Sequence, residues 1–517
     1  MESIFEEKYS TEILGTTSTF DRVILSGSIK PISYKDGLNI YLSAHHILLK
    51  DFSAYANKLS TQLKEQAQLI ARKEKVEYIY LNSSRIRKEE LIKKQIEKRG
   101  EHPGLIAILS CLELDNSFDI YKNKKRENLE LVSRKRKCLH IYYYFIDEDL
   151  GLCFFRIQTF FPFKVTIYFN GKEKLAREMT NANIDYQKED NCFTWIDDLI
   201  KSQELSDNYD VHKLQRIFDR LAEKYVPILK DLSEKWNLSY HWSIRQIEYA
   251  KDIMFKTQSK LDGVYEQLIK YSVLTASPED VLSFLGKKRK GQQGGRVETS
   301  HKKTYFGYRI KHKNGSTSIK IYNKAGSVLR IEVTFNNISE LKVIRDVHQK
   351  NGEVVKKLTN MKRSIYSIEH IIRFAKAAIN RYTDFLSKMD NNDKGLKELR
   401  QLTERKTENG NNYKGFNPLH KDDFLLFQQL LNGGFVANGV TNKTFREALS
   451  KTSDQFNWNS SKVGRFFKRL RVFGLLRKVN KSYKYFLTKK GKMILILSIK
   501  LRNLTAIPEL NNLVCAS

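Results

Sequence analysis

Five cysteines in 517 residues, Cys111, Cys138, Cys153, Cys192 and Cys515, form no Cys-x-x-Cys and no paired spacing with histidine. That excludes a zinc finger and a disulfide framework, and it fits ordinary thiols in a reducing compartment. No stretch reaches the roughly eighteen uninterrupted apolar residues that a membrane helix needs. The acidic start Met1-Glu2-Ser3-Ile4-Phe5-Glu6-Glu7 lacks the basic and apolar segments of a signal peptide. These absences predict a cytoplasmic protein with no membrane partner. No Gly-x-x-x-x-Gly-Lys-Ser/Thr loop occurs, so nothing points to an NTP motor. A His-hydrophobe-His metal pair is also missing: His140-Ile141-Tyr142 has the first histidine only, and the adjacent His45 and His46 point apart.

Acidic residues are scarce as well, with 59 Asp and Glu against 91 Lys and Arg, a net charge of +32. Such an excess calls for a partner of opposite sign. With 41% hydrophobic residues, 29 Phe and 26 Tyr, the chain can bury cores over most of its length, and its size predicts roughly three domains.

The basic excess is densest near the C-terminus, where Asn417 to Lys500 holds 17 Lys and Arg against 4 Asp and Glu. Within it, Val463, Phe466, Phe467 and Leu470 have the spacing of one buried helical stripe. The opposite face carries Lys462, Arg465, Lys468, Arg469 and Arg471. Ser460 and Ser461 stand where an N-cap is wanted, and Gly474 where the helix should end. Two β-rich runs, Leu476 to Val479 and Tyr483 to Thr488, flank Asn480-Lys481-Ser482 and predict a hairpin bearing Lys481 and Lys484. In this order of elements, and in the closing Leu487-Thr488-Lys489-Lys490-Gly491, residues 416–500 resemble the winged helix-turn-helix domains of MarR-like regulators. The resemblance covers about a sixth of the chain and implies a module that docks on duplex DNA. Winged helices often act in pairs on two-fold sites, which leaves a homodimer open.

The rest predicts an α+β, multi-domain body with antiparallel β meanders and helices. An N-terminal domain over 1–200 contains a strand at Phe20 to Ile29, a helix at Asp51 to Lys75, a strand at Glu77 to Leu81 and a helix at Arg87 to Arg99. It ends in a meander of Leu139 to Ile146, Leu152 to Thr159 and Phe163 to Phe169. Residues 201–388 predict helices at Val211 to Lys224, Ile244 to Tyr271, Pro278 to Leu285 and Ser364 to Lys388. They also hold a second meander around the Asn314-Gly315 turn and Gly326 to Phe335. The polar stretch 389–415 predicts a linker, 501–517 a tail, and no internal repeat is evident.

Two more basic clusters lie beside aromatic strands. Tyr121 to Lys137 has 8 basic against 2 acidic residues and includes Arg134, Lys135 and Arg136; Gly286 to Lys313 has 10 against 1 and includes Lys287, Lys288, Arg289 and Lys290. Basic grooves with exposed aromatics, here Tyr142 to Tyr144 and Tyr305 to Tyr308, are how single strands are tracked. Strand alternation places Arg156 with Phe154 and Gln158, Lys320 with Tyr322 and Lys324, and Arg330 with Glu332, as candidate phosphate contacts. For catalysis, Asp21, Glu113, Asp115, Glu248, Asp252 and Glu332 are the carboxylates that could converge on Mg²⁺, with Glu248 and Asp252 one turn apart on a helix. No other cofactor is indicated.

The segments Phe20 to Gly27, Phe154 to Gly171 and Ile319 to Thr334 resemble, loosely, uncharacterised basic bacterial proteins of mobile elements. That resemblance implies handling of an element's DNA or RNA. Two expectations follow. One is a nucleic-acid-binding protein with a winged helix on DNA and a basic body on a second segment, DNA or RNA. The other is a metal-dependent nuclease, transposase or replication initiator, distinguished by carboxylates that meet at the floor of a basic groove.

Overall fold

The computed structural model describes residues 3–83, 86–125, 127–226, 238–287, 296–349, 352–390, 398, 400–417, 419–451, 458–508 and 510. The protein is α+β and divides into two units, Met1–Ser387 and Lys388–Ser517. The expected boundary near residue 200 does not exist, because strands from both sides of it share one sheet.

In chain order the strands of that sheet are β1 (Ile13–Ser28), β2 (Glu77–Leu81), β3 (Gly104–Asn123), β4 (Asn128–Asp147), β5 (Gly151–Gln158) and β6 (Val165–Phe169). A small hairpin of β7 (Tyr186–Glu189) and β8 (Cys192–Ile196) follows, and β9 (His241–Phe255), β10 (Val297–Thr304), β11 (Gly307–Asn314), β12 (Thr317–Lys324) and β13 (Val328–Phe335) complete the sheet. The order is β10-β11-β12-β13-β9-β1-β6-β5-β4-β3-β2. β1 pairs antiparallel with β9 at the centre. On each side the same plan appears: a strand, helices, then a four-strand meander whose last strand returns to pair with the first. The sequence shows no trace of this repeat, because matching topology demands only matching hydrophobic alternation.

β9 corrects the helix expected over Ile244 to Tyr271. Ile247, Tyr249 and Ile253 are fully buried, whereas Glu248, Ala250 and Asp252 face the other way, a period of two that a helical count also accommodates. The helix starts only at Gln258, after an N-cap by Thr257. The 121–137 cluster is likewise no loop but the outer half of the long β3–β4 hairpin. The remaining helices fall within a few residues of expectation, with Phe52–Lys73, Lys88–Arg99, Val211–Tyr225, Pro278–Phe284 and Ile368–Ser387.

One face of the sheet is sealed by helices. There His312 of β11 is fully buried, with Ser272 and Thr299 hydroxyls each 2.9 Å from its ring nitrogens. Burial pushes its pKa down to about 4. A histidine kept neutral stabilises fully above its unfolded value near 6.5, and this contribution is lost as pH falls from there toward the folded value. We therefore expect a stability loss of about 2 kcal/mol between pH 7 and pH 5 that disappears in His312→Asn, read from thermal melts at both pH values.

The second unit contains helices Lys421–Leu430, Asn442–Ser450, Ser460–Val472 and Lys489–Lys500, with a wing of Leu476–Lys478 and Tyr485–Leu487. Tyr485 also bridges to Val440, adding the third strand position of a winged helix-turn-helix. The cap of Ser460–Val472 is Asn459, not the serines. Gly474 ends the helix at φ +70. The 389–415 stretch is more than a linker: Leu402 is 5% exposed within the winged-helix core beside Phe416, and Lys406–Glu408 pairs with Asn411–Tyr413.

Candidate metal centre and nucleic-acid surfaces

Charge gathers on the other face of the sheet, where the helix Gly171–Asn181 and the β7–β8 hairpin pack against β9 and β13. β1 is interrupted between Phe20 and Arg22, opposite Tyr249 and Glu248. Asp21 is the extra residue of this bulge, a device that re-aims a side chain. Asn170, the N-cap of the helix Gly171–Asn181, sits beside it because Gly171 rides directly on β1. A Cβ at Gly171 would lie 2.3 Å from the Phe20 carbonyl oxygen. Asn170 Nδ2 donates to Asp21 Oδ1 at 3.4 Å and Asn191 Nδ2 to the same oxygen at 2.7 Å, while Arg330 stands 3.5 Å from Oδ2.

Across β9 and β13 the side chains of Glu248 and Glu332 join Asp21. The three carboxylates are buried and each offers an oxygen within 4.8 Å of the others. Burial raises the Glu248 carboxyl above its usual range, reinforced by the negative charge of Glu332. Burial would raise Glu332 too, but Lys320, Tyr322 and Arg330 together hold that carboxyl low. Lys320 is ion-paired to Glu332 and lies 3.6 Å from Glu248 Oε1. Thr334 Oγ1 lies 3.4 Å from an oxygen of each glutamate, its one proton shared between them, and Tyr322 donates to Glu332 Oε2 at 2.9 Å. Arg22 Nε is 3.8 Å from Glu248 with its side chain half exposed.

An all-oxygen donor set from three strands suits a hard divalent cation such as Mg²⁺ or Mn²⁺. The Lys320 ammonium lies between two of the carboxylates and Arg330 lies near the third, so a bound ion would share them with these two cations. Asp21, Glu248 and Glu332 are the residues that would supply the oxygens. Beside them a cavity of 370 Å³ is lined by Tyr305, Phe306, Tyr322, Lys324 and Asp190, among others. Tyr305 is 94% exposed.

Other expected site residues have different places. Asp252 is fully buried and receives Arg330 Nε at 2.7 Å and Nη2 at 2.9 Å, together with Lys172. Burial would raise its carboxyl, but Arg330 and Lys172 prevail and lower it. It is therefore a structural ion pair on a strand, and Arg330 anchors both Asp252 and Asp21. Asp115 lies on β3 among Arg156 at 2.6 Å, His140 at 3.5 Å and Lys164 at 3.8 Å, and Glu113 pairs with Lys88 and Arg156. Burial would raise both carboxyls, but their hydrogen bonds and the neighbouring lysines and Arg156 hold them low. Neither reaches the metal trio, and Arg156 is committed to them instead of to phosphate.

Lys320 serves the carboxylates and Lys324 pairs with Asp190 at 2.7 Å. Lys287 donates to the Asn314 carbonyl at 2.9 Å and approaches Glu340; Lys288, Arg289 and Lys290 lie outside the described residues. Arg134 and Arg136 approach Asp119, while Lys135 is exposed. Tyr142, Tyr143 and Tyr144 are buried and cannot stack bases, unlike Tyr305 and Tyr308.

On the second unit Lys462, Arg465, Lys468 and Arg471 are exposed along one helix, and Lys481 and Lys484 on the wing. Arg469 is not available: it donates to the carbonyls of Lys414 and Gly415, lies over Phe416 at 3.8 Å and faces Asp423 at 3.6 Å. Lys468→Glu with Arg471→Glu should weaken duplex binding about tenfold or more near physiological salt, whereas Arg469→Ala should lower the melting temperature of this unit. Anisotropy and melts on both variants separate the two roles.

Sequence reasoning missed Asn170, Lys172 and Asn191, which position Asp21 and Asp252. Their signal is weak, an asparagine cap and a polar turn.

No family model and no curated protein matches the chain. Among solved structures, the di-domain ARO/CYC BexL from the BE-7585A biosynthetic pathway aligns with 49% of this chain and 79% of its own, at 8% identity and a TM-score of 0.15. A likeness that slight carries no argument.

Proposed function

We propose that the protein is a metal-dependent enzyme that cleaves or transfers nucleic-acid phosphodiesters, anchored to duplex DNA by its winged helix. The observation that carries this reading is the meeting of Asp21, Glu248 and Glu332, at the seam of the two halves of the sheet, on a chain of net charge +32. A bound Mg²⁺ or Mn²⁺ would polarise a phosphoryl oxygen and activate a nucleophile there. Lys320 balances the carboxylates, and the half-exposed Arg22 is placed to hold a phosphate beside Glu248.

Two tyrosines line the adjoining cavity. Tyr322 is engaged by Glu332, and burial, then that glutamate, pushes its phenol up. Tyr305 is nearly fully exposed and is the tyrosine free to meet a scissile phosphate. A strand-cutting body joined to a duplex anchor suits a replication initiator or a transposase, the roles implied by the resemblance to mobile-element proteins.

The test is incubation of the full chain with labelled single-stranded and duplex DNA and RNA, with Mn²⁺, with Mg²⁺ and with EDTA. Cation-dependent cleavage supports the reading, and intact products under every condition sink it. Trapping of a protein–nucleic acid adduct that is lost in Tyr305→Phe would assign the nucleophile to Tyr305; free ends without an adduct would assign it to water. Salt-sensitive binding with no cleavage would instead favour a non-catalytic binder.

A further inference from the structure

Between the large sheet and the helix Ile368–Ser387 the chain forms a separate ribbon, β14 (Lys342–His348) paired with β15 (Val354–Asn360). Seven rungs join the two strands, and neither pairs with any other described strand. At about 3.4 Å per residue the ribbon extends roughly 24 Å. Its root is fixed: Leu341 and Met361 are buried and joined by a 2.8 Å hydrogen bond from Met361 N to the Leu341 carbonyl. Beyond Val343 every described side chain of β15, and most of those of β14, is at least partly exposed.

Three features make this ribbon poorly suited to water alone. A lone two-stranded hairpin is marginally stable. Ile344 and Leu358, directly opposite one another, are 68% and 58% exposed. On the other face Arg345 stands opposite Lys357, and like charges in that position repel. Arg345 Nε is buried with no hydrogen-bond partner. The Ile344 face also carries Lys342 and Lys356, with Asp346 opposite Lys356, so that two cations there meet one acid. Each of these features is relieved by a ligand that brings anions to the edges and an apolar surface to the centre.

We propose that this ribbon is a DNA arm that enters the major groove of a B-form duplex. Arg345, Lys356 and Lys357 would lie against phosphates, and the Ile344–Leu358 pair against base edges such as thymine methyls. The major groove of B-DNA, about 12 Å wide, admits a two-stranded ribbon, whereas the deep, narrow major groove of A-form RNA does not. The arm deepens the nucleic-acid reading above but does not require the metal centre.

The experiment uses the full chain and a labelled DNA duplex in EDTA, where the metal centre cannot act, with an RNA duplex of equal length as comparison. Binding is followed by anisotropy over a range of salt concentrations. Combined Arg345→Gln, Lys356→Gln and Lys357→Gln should weaken DNA binding about tenfold near physiological salt and reduce the logarithmic salt slope by roughly two to three, with RNA binding unchanged. Ile344→Ser with Leu358→Ser should weaken DNA binding with the slope preserved. Hydrogen exchange at 342–360 on the unaltered protein should slow when DNA is added, a readout independent of any variant's folding. Unchanged affinity and slope in the charge variant, an equal loss on RNA, or exchange unaffected by DNA would each overturn the proposal. A failure to cleave any substrate would count against the enzyme reading and leave the arm standing.

Discussion

Glu332→Gln should reduce cation-dependent cleavage by at least about a hundredfold, since a metal-bound charge supplies several kcal/mol and each 1.36 kcal/mol is tenfold in rate. The substitution keeps the shape of the side chain and the hydrogen bond from Tyr322, but it removes the charge that Lys320 and a cation share. Duplex affinity in EDTA should stay close to that of the unaltered protein, because Glu332 lies on the body sheet while the winged helix carries its own exposed bases. Asp21→Asn should act in the same direction, and Asp115→Asn should not, because Asp115 belongs to the separate Arg156 cluster. Equal cleavage by Glu332→Gln and the unaltered chain would remove the carboxylate trio from catalysis.

Arg330→Met should destabilise the body by about 3–5 kcal/mol, the usual result of stripping one partner from a buried ion pair. Asp252 would keep one described cation, Lys172, and Asp21 would lose the Arg330 guanidinium. The effect also has a pH signature. With its carboxyl held below the ordinary range, Asp252 contributes stability that is present above its unfolded value near 3.9 and is lost as pH falls through the folded value. Removing Arg330 shrinks that contribution, so the gap in stability between the two proteins should be widest near neutral pH and narrow in acid. Denaturant melts at pH 7 and pH 3 check this. A neutral effect at pH 7 would mean that the Arg330 network is solvated and replaceable.

The elements that sequence periodicity placed well are those with strong local signals. The helix Ser460–Val472 has a four-residue apolar stripe, and β4 to β6 form a meander dense in β-branched and aromatic residues. Pairing between distant strands was not readable, because the β1–β9 seam depends on contacts more than two hundred residues apart. The carboxylate trio was legible only as a set of candidates. Asp21, Glu248 and Glu332 were among six, and which of them meet depends on a bulge in β1 and on β9 being a strand. Asp252 and Asp115 are chemically equivalent to them in sequence; what separates them is Arg330 on one and Arg156 on the other. Arg469 likewise looks like its neighbours on the helix Ser460–Val472 until Phe416 and the Lys414 carbonyl are placed beside it. The β14–β15 ribbon carried a hairpin signal in Asn351-Gly352, flanked by two runs rich in valine.

Calorimetric titration of the metal-free full chain with Mn²⁺, beside Glu332→Gln, decides whether the carboxylate trio binds a cation. Saturable binding at the trio is expected in the unaltered protein, accompanied by a slower exchange of the β9 and β13 amides, with loss of both in the variant. No saturable binding, or identical titrations for the two proteins, would contradict cation binding there.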